Sequence, residues 1–116
     1  MRDKLRDPGR LQHMLDMALL LEKEKVNHSL ESVKTDPLLF FGLTKMVEII
    51  GEAAYMITKD FKESHTELNW REIQGMRHHL VHGYYNISQE VLWDAIQTNI
   101  PAMIPILKKY IKEFED

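Results

Sequence analysis

Residues 36–61 read DPLLFFGLTKMVEIIGEAAYMITKDF and carry the clearest helical pattern in the chain. The stretch opens on Asp36-Pro37, which is a helix start signal because aspartate caps free N–H groups and proline needs no hydrogen bond in the first turn. Apolar residues then recur at helical spacing. The stripe consists of Leu39, Leu43, Met46, Ile50, Ala53, Ala54 and Ile57. We therefore predict one long helix to about Phe61.

The residues before this helix show a similar start signal. Asp7-Pro8 is followed by a wide apolar stripe, which predicts a first helix from this dipeptide to about Lys25. The polar stretches 26–35 and 62–68 are predicted to be loops, the first with at most one short turn. So wide an apolar stripe, together with the nearly all-round apolar second helix, exceeds what one small bundle can bury. We therefore expect a homodimer.

Two further helices are predicted in the second half of the chain. Asn69 is a suitable cap for a helix from Trp70 to about Val81, which Gly83 ends. Ser88 begins a last helix that kinks or restarts at Pro101, because proline deletes one intrahelical hydrogen bond. No segment shows the period-2 alternation of a strand. The predicted fold is all-α, an antiparallel bundle of four to five helices.

Composition limits the possible classes of protein. The 116 residues, 44% hydrophobic and 28% charged, suit a single domain over residues 1–116. The absence of cysteine excludes disulfides, thiolate metal sites and a cysteine nucleophile. A charged N-terminus and the lack of an apolar run of roughly 18 residues predict a cytoplasmic protein without membrane contact. With 15 basic and 18 acidic residues, any binding of nucleic acid must come from a local patch.

That patch is the segment GMRHHLVHGYY, residues 75–85, which crowds one arginine, three histidines and two tyrosines at a helix end. Three interpretations stand. The side chains could simply satisfy the helix end and the bundle surface. His78 and His82, four residues apart, have the spacing of a metal pair, although no glutamate adjoins them and no third ligand is near in sequence.

The third interpretation is phosphodiester chemistry on RNA. An imidazole can take the proton of a ribose 2′-hydroxyl at neutral pH, and a guanidinium can stabilise the charge that develops on the phosphate. Tyrosine rings can stack on bases. Arg77 and His82 are about 140° apart around an ideal helix, so they must converge on one groove rather than stack on one face.

Arg77, His82 and Tyr84 resemble the R-x4-H-x-Y motif of the HEPN superfamily of all-helical ribonucleases. The wider pattern resembles the HepT-like branch, whose members are small toxins encoded beside a minimal nucleotidyltransferase (MNT) antitoxin. The similar blocks are Ile50-Gly51-Glu52-Ala53-Ala54, Trp70, Ile73-Gln74-Gly75-Met76-Arg77, His82-Gly83-Tyr84-Tyr85, Val91 to Trp93 and Ile100-Pro101. They extend over roughly residues 10 to 115. His78 departs from the pattern, because asparagine is common there.

The resemblance implies a HEPN-like bundle that dimerises so that Arg77 and His82 of both protomers line one cleft, with higher assembly left open. RNA would be cleaved without metal or cofactor, by attack of the 2′-hydroxyl on the adjacent phosphate, and no action on DNA is expected. The cognate nucleotidyltransferase would silence the toxin by transferring AMP to Tyr84. The alternative is a non-catalytic nucleotide- or substrate-binding partner of a nucleotidyltransferase.

Two residues are predicted to support this site. His78 follows the motif arginine and shares a helix face with His82. Glu52, beside the mid-helix Gly51, is expected to be partly buried and to face the Arg77 segment, because a buried carboxylate needs a partner.

Overall fold

The computed structural model describes the backbone of residues 2–82 and 88–115 and the side chains of residues 5–76 and 88–115. Within these ranges the regular structure is helical and contains no strand, which confirms the all-α prediction. The elements are α1 (Arg2–Glu24), a 3₁₀ turn (Lys25–Asn27), α2 (Leu30–Thr35), α3 (Pro37–Met56), α4 (Lys59–Ser64), α5 (Trp70–His82), α6 (Gln89–Asp94), a π-helical segment (Ala95–Asn99) and α7 (Ile100–Lys112).

The long helices enclose the core. α1 packs against α3 and α7, α3 packs also against α5, and the short α2 lies against α3 and α6. The bulkiest fully buried side chains come from α1, α3, α6, the π-helical segment and α7. They are Leu11, Met14, Leu21, Ile50, Leu92, Ile96, Ile100, Leu107 and Tyr110. None of the described helices combines the length and apolar character needed to cross a membrane.

Three predicted helix starts are confirmed by their hydrogen bonds. One Asp36 carboxylate oxygen accepts from two backbone N–H groups of α3, at 3.1 and 3.2 Å. Asn69 Oδ1 accepts from a backbone N–H of α5 at 3.0 Å. Ser88 Oγ accepts from two N–H groups of α6, at 3.1 and 3.3 Å. Each cap bonds two or three residues ahead, which is why local sequence was sufficient to find it.

The predicted start of α1 is wrong. α1 extends back to Arg2, and Pro8 lies inside it. A proline there costs one intrahelical hydrogen bond, and the helix continues through it. Asp7 does not cap its own helix, because its carboxylate binds Thr58 instead.

Both predicted loops contain helices, and the predicted second helix is shorter than expected. Ser29 caps α2 with a capping box, and Val33 of α2 is buried. α3 ends at Met56 because Ile57 is extended, and the Thr58 hydroxyl caps the separate α4. The two residues Ile57 and Thr58 therefore interrupt the helix, although the apolar spacing of the sequence continues through them.

The predicted disturbance at Pro101 is confirmed. Pro101 has no N–H to donate to the carbonyl four residues earlier, and the preceding turn widens into the π-helical segment. Ile100 N–H bonds to the carbonyl of Ala95, five residues back. The chain then continues as α7.

Candidate active site

The helix that carries the predicted motif, α5, is fixed first at its beginning. Trp70 is buried, and its indole N–H donates to the His65 carbonyl oxygen at 2.6 Å. Ile73, one turn further on, is also buried. A buried aromatic residue with a satisfied polar end holds the first turn of α5 against the core.

Lys62 then joins α5 to the end of α3. Its Nζ donates to Gln74 Oε1 at 2.7 Å and to the carbonyl oxygens of Ala54 and Tyr55 at 3.4 and 3.3 Å. Burial lowers the pKa of Lys62, and the charge of Asp7 partly opposes that shift. Because Gln74 precedes Arg77 by less than one turn, this contact sets the rotation of α5 where the motif begins.

The sequence prediction placed Lys62 in a loop and missed this role. The available signal was a cation just after a long helix, where free carbonyl groups accept hydrogen bonds. Arg10 has a similar role: one of its guanidinium nitrogens donates to the Met56 carbonyl oxygen at 2.7 Å. Two cations therefore satisfy the carboxyl end of α3, against which α5 packs.

The motif residues lie at the limit of the described structure. The backbone of Arg77, His78 and His82 belongs to the last turns of α5, while their side chains lie outside the described residues. Tyr84 and the helix-ending Gly83 lie wholly outside them. Placement of Arg77 and His82 on one helix is observed, and their convergence on one groove stays a prediction.

Glu52 differs from the prediction in one respect. Its side chain is exposed, not partly buried. The reason is helical phase: Ile50, Gly51, Ala53 and Ala54 form the buried face of α3, and Glu52 falls on the outer face with Lys45 and Tyr55. An approach of Glu52 to the Arg77 segment would involve side chains outside the described residues.

The chain that follows the motif is anchored at the start of α6. Glu90 Oε1 lies 2.6 Å from Lys34 Nζ on α2, and Glu90 Oε2 accepts from the Ser88 hydroxyl at 2.6 Å. The hydrogen bond from Lys34, followed by that from Ser88, lowers the pKa of Glu90 to about 2. α2 thus contacts the start of α6 through this ion pair.

A metal centre has no support in the part of the chain that is described, where no three histidine, aspartate or glutamate side chains are grouped to hold an ion. The pair His78 and His82 lies outside this test.

Comparison with known proteins identifies related chains. The family model described as "Ribonuclease HepT-like" matches residues 14–110. A protein of Caldanaerobacter subterraneus subsp. tengcongensis, provisionally named as an RNase, is 35% identical over 103 residues, 89% of this chain and 88% of its own. A protein of Thermococcus cleftensis, provisionally named as ribonuclease HepT, is 33% identical over 93 residues, 80% of this chain and 84% of its own. No solved structure gave a significant match.

Proposed function

Because the chain belongs to the family of HepT-like ribonucleases, we propose that it is a toxin-type endoribonuclease that cleaves RNA in the cytoplasm without a metal ion. The observation that most directly supports this proposal is the family match over residues 14–110, which includes the whole predicted motif. The names of relatives that align over most of their length give the same reaction class.

The proposed chemistry assigns one role to each motif residue. His82 takes the proton of the ribose 2′-hydroxyl, whose oxygen attacks the adjacent phosphorus while the bond to the 5′-oxygen breaks. Arg77 stabilises the negative charge on the phosphate oxygens. The departing 5′-oxygen takes a proton from water and His82 returns its proton to the solvent, so the products are a 2′,3′-cyclic phosphate and a 5′-hydroxyl end. His78 and Glu52 support the site, and a second Arg77–His82 pair from the partner of a homodimer completes the cleft.

The test is cleavage of RNA by the purified protein and growth arrest on expression. His82→Ala should lower cleavage at least 100-fold, since general base catalysis contributes about 10²–10⁴-fold. His13→Ala is the matched control, because His13 is an exposed histidine on α1. Activity should survive EDTA. Loss of activity in EDTA with recovery in zinc would instead favour a metal pair of His78 and His82, and full activity of His82→Ala would refute the proposed base.

Regulation is proposed to act on Tyr84, two residues beyond His82. An MNT-type nucleotidyltransferase antitoxin would attach AMP to its hydroxyl, placing a charged phosphate where the RNA phosphate binds beside Arg77. Tyr84→Phe should keep ribonuclease activity and escape inhibition, whereas Tyr85→Phe stays inhibited. Mass spectrometry after co-expression should find AMP on the Tyr84 peptide; suppressed activity with an unmodified peptide would mean that the antitoxin acts by binding alone.

A further inference from the structure

A groove separates the first turns of α5 from the start of α7, outside the predicted motif. Its volume is about 150 Å³, and a cavity of that size accommodates one six-membered aromatic ring, so a fused two-ring base would enter it with one ring only. Ile73 and Met76 of α5 face Met103 and Ile106 of α7 across it. A flat apolar ring system that enters this groove would be held between aliphatic and thioether side chains, which adapt to such shapes.

One rim of the groove is polar and organised around Glu72. Glu72 Oε1 accepts from Asn99 Nδ2 at 2.6 Å, and Oε2 accepts from Asn69 Nδ2 at 3.3 Å. An ionised carboxylate offers about four acceptor positions, so two amide contacts orient Glu72 and leave acceptor capacity on both oxygens. The arrangement is a pre-oriented acceptor pair beside an apolar slot.

The π-helical segment accounts for the position of Asn99. Asn99 is the last residue of the π-helical segment Ala95–Asn99, and its side chain reaches Glu72 on α5. Such π-bulges are rare and frequently occur at functional sites. The Ile100-Pro101 pair, which the sequence pattern singles out, lies in the chain between Asn99 and Ala102, two residues that line the groove.

The charges of the two carboxylates in the groove limit the chemical class of ligand that it can bind. The other carboxylate of the groove, Glu67, is neutralised by its ion pair with Lys109. Among the residues that the structure describes, Glu72 is held by the two amides and pairs with no cation. A phosphate would be repelled by the rim, whereas a neutral ring with N–H donors would be attracted. Guanine presents two neighbouring donor groups on one edge, N1–H and the N2 amino group, and these match two carboxylate oxygens.

We propose that this groove binds a guanine base of the RNA substrate, with Glu72 as the residue that determines specificity; this rests on the proposed ribonuclease function. Glu72 precedes Arg77 by five residues, which is about 7.5 Å along the helix axis and about 140° around it. A nucleotide whose base lies in the groove and whose phosphate reaches Arg77 would therefore wrap around part of α5. In that arrangement the groove would select the nucleotide next to the bond that is cut.

The first experiment measures binding by calorimetry, using guanosine, adenosine, cytidine and uridine 5′-monophosphates as probes. GMP should bind at least ~10-fold more tightly than AMP, and Glu72→Gln should remove that preference, since a bidentate contact discriminates by roughly 1–3 kcal/mol. Glu63→Gln is the matched control, because Glu63 is an exposed carboxylate on α4. Asn99→Ala, which frees Glu72 without removing it, should weaken GMP binding several-fold. Equal binding of all four nucleotides, or unchanged GMP binding in both variants, would overturn the proposal.

Further experiments distinguish a failure of the groove proposal from a failure of the ribonuclease proposal. When RNA oligonucleotides differ at one position, the wild type should prefer to cleave those with guanine there, and Glu72→Gln should lose this preference. Cleavage without a base preference would refute the groove proposal and leave the ribonuclease proposal standing. Glu72-dependent binding of GMP by a protein that cuts no RNA would support the groove and refute the reaction. Tighter binding of arginine amide than of GMP would assign the groove to a cationic partner segment and overturn the nucleobase proposal.

Discussion

Asp7 of α1 contacts Thr58, which lies 51 positions further along the chain in the break between α3 and α4. Its carboxylate is 1% exposed and accepts from the Thr58 backbone N–H at 3.1 Å and from the Thr58 hydroxyl at 2.7 Å. The Thr58 hydroxyl in turn accepts from the Phe61 N–H and caps α4. One side chain of α1 therefore fixes the break between α3 and α4.

Replacement of this carboxylate is expected to destabilise the fold. Asp7→Ala should lower the free energy of unfolding by about 1–3 kcal/mol, because it leaves a partly buried N–H and hydroxyl without an acceptor. Chemical denaturation measures this directly. Asp16→Ala removes an exposed aspartate of the same helix and should change stability by less than about 0.5 kcal/mol. Equal effects of the two substitutions would show that the Asp7–Thr58 contact adds nothing.

Individual side chains also show where sequence prediction stops. The caps at Asp36, Asn69 and Ser88 were predicted because each bonds to its own neighbours along the chain. The partners of Asp7 and Lys62 lie on other helices, and no local pattern identifies them. The motif Arg77 and His82 was found by spacing and resemblance, which give residue types but no side-chain geometry.

The connection between α5 and α7 depends on Glu67, which lies in the segment before α5. Glu67 is paired with Lys109 and accepts from the Tyr110 hydroxyl at 3.0 Å. The same hydroxyl accepts from the Leu68 N–H at 3.2 Å. The hydrogen bond from Lys109, followed by that from Tyr110, lowers the pKa of Glu67 to about 2. Burial raises the pKa of Tyr110 to about 12.

Acid should therefore loosen this connection. A carboxylate with a pKa of 4.5 unfolded and about 2 folded contributes stability above pH 4.5 and loses it as the pH falls toward 2. Glu67→Gln should flatten that part of the curve of unfolding free energy against pH. Glu63→Gln, which removes an exposed carboxylate 3.7 Å from Lys59, should leave the curve close to wild type. If Glu67→Gln lost stability between pH 4.5 and 2 as steeply as the wild type, the stabilising contact between Glu67 and Lys109 would be contradicted.

Among elements, the long helices were predictable and the short ones were not. The apolar spacing of α1, α3 and α5 is strong because each buries one face. α2 and α4 have six residues each, too short for a periodic pattern, and their caps Ser29 and Thr58, although they bond only three residues ahead, were not recognised without one. The guanine groove could not be predicted either, since its walls come from residues 67–76 and 99–106.

The molecule as a whole leaves apolar side chains exposed at both ends of α3. Its outer face exposes Leu38 by 84%, Phe41 by 61%, Tyr55 by 50% and Met56 by 43%. This face is opposite the one that packs on the core, so no described part of the bundle covers it. Lys45 and Glu52 lie between these two exposed apolar pairs on the same face, and exposed apolar patches with polar surroundings mark an interaction site. The homodimer that the wide apolar stripes predict would use this face.

The dimer prediction has a direct mutational test. Light scattering at micromolar concentration should give twice 13.7 kDa for the wild type, and Phe41→Glu should give a monomer because it places a charge in the buried interface. Val26→Glu is the matched control, since Val26 is 78% exposed and lies on the 3₁₀ turn, away from α3. If one cleft needs Arg77 and His82 from both protomers, folded Phe41→Glu protein should also lose RNA cleavage. A monomeric wild type that cuts RNA would show that one helix supplies the whole site.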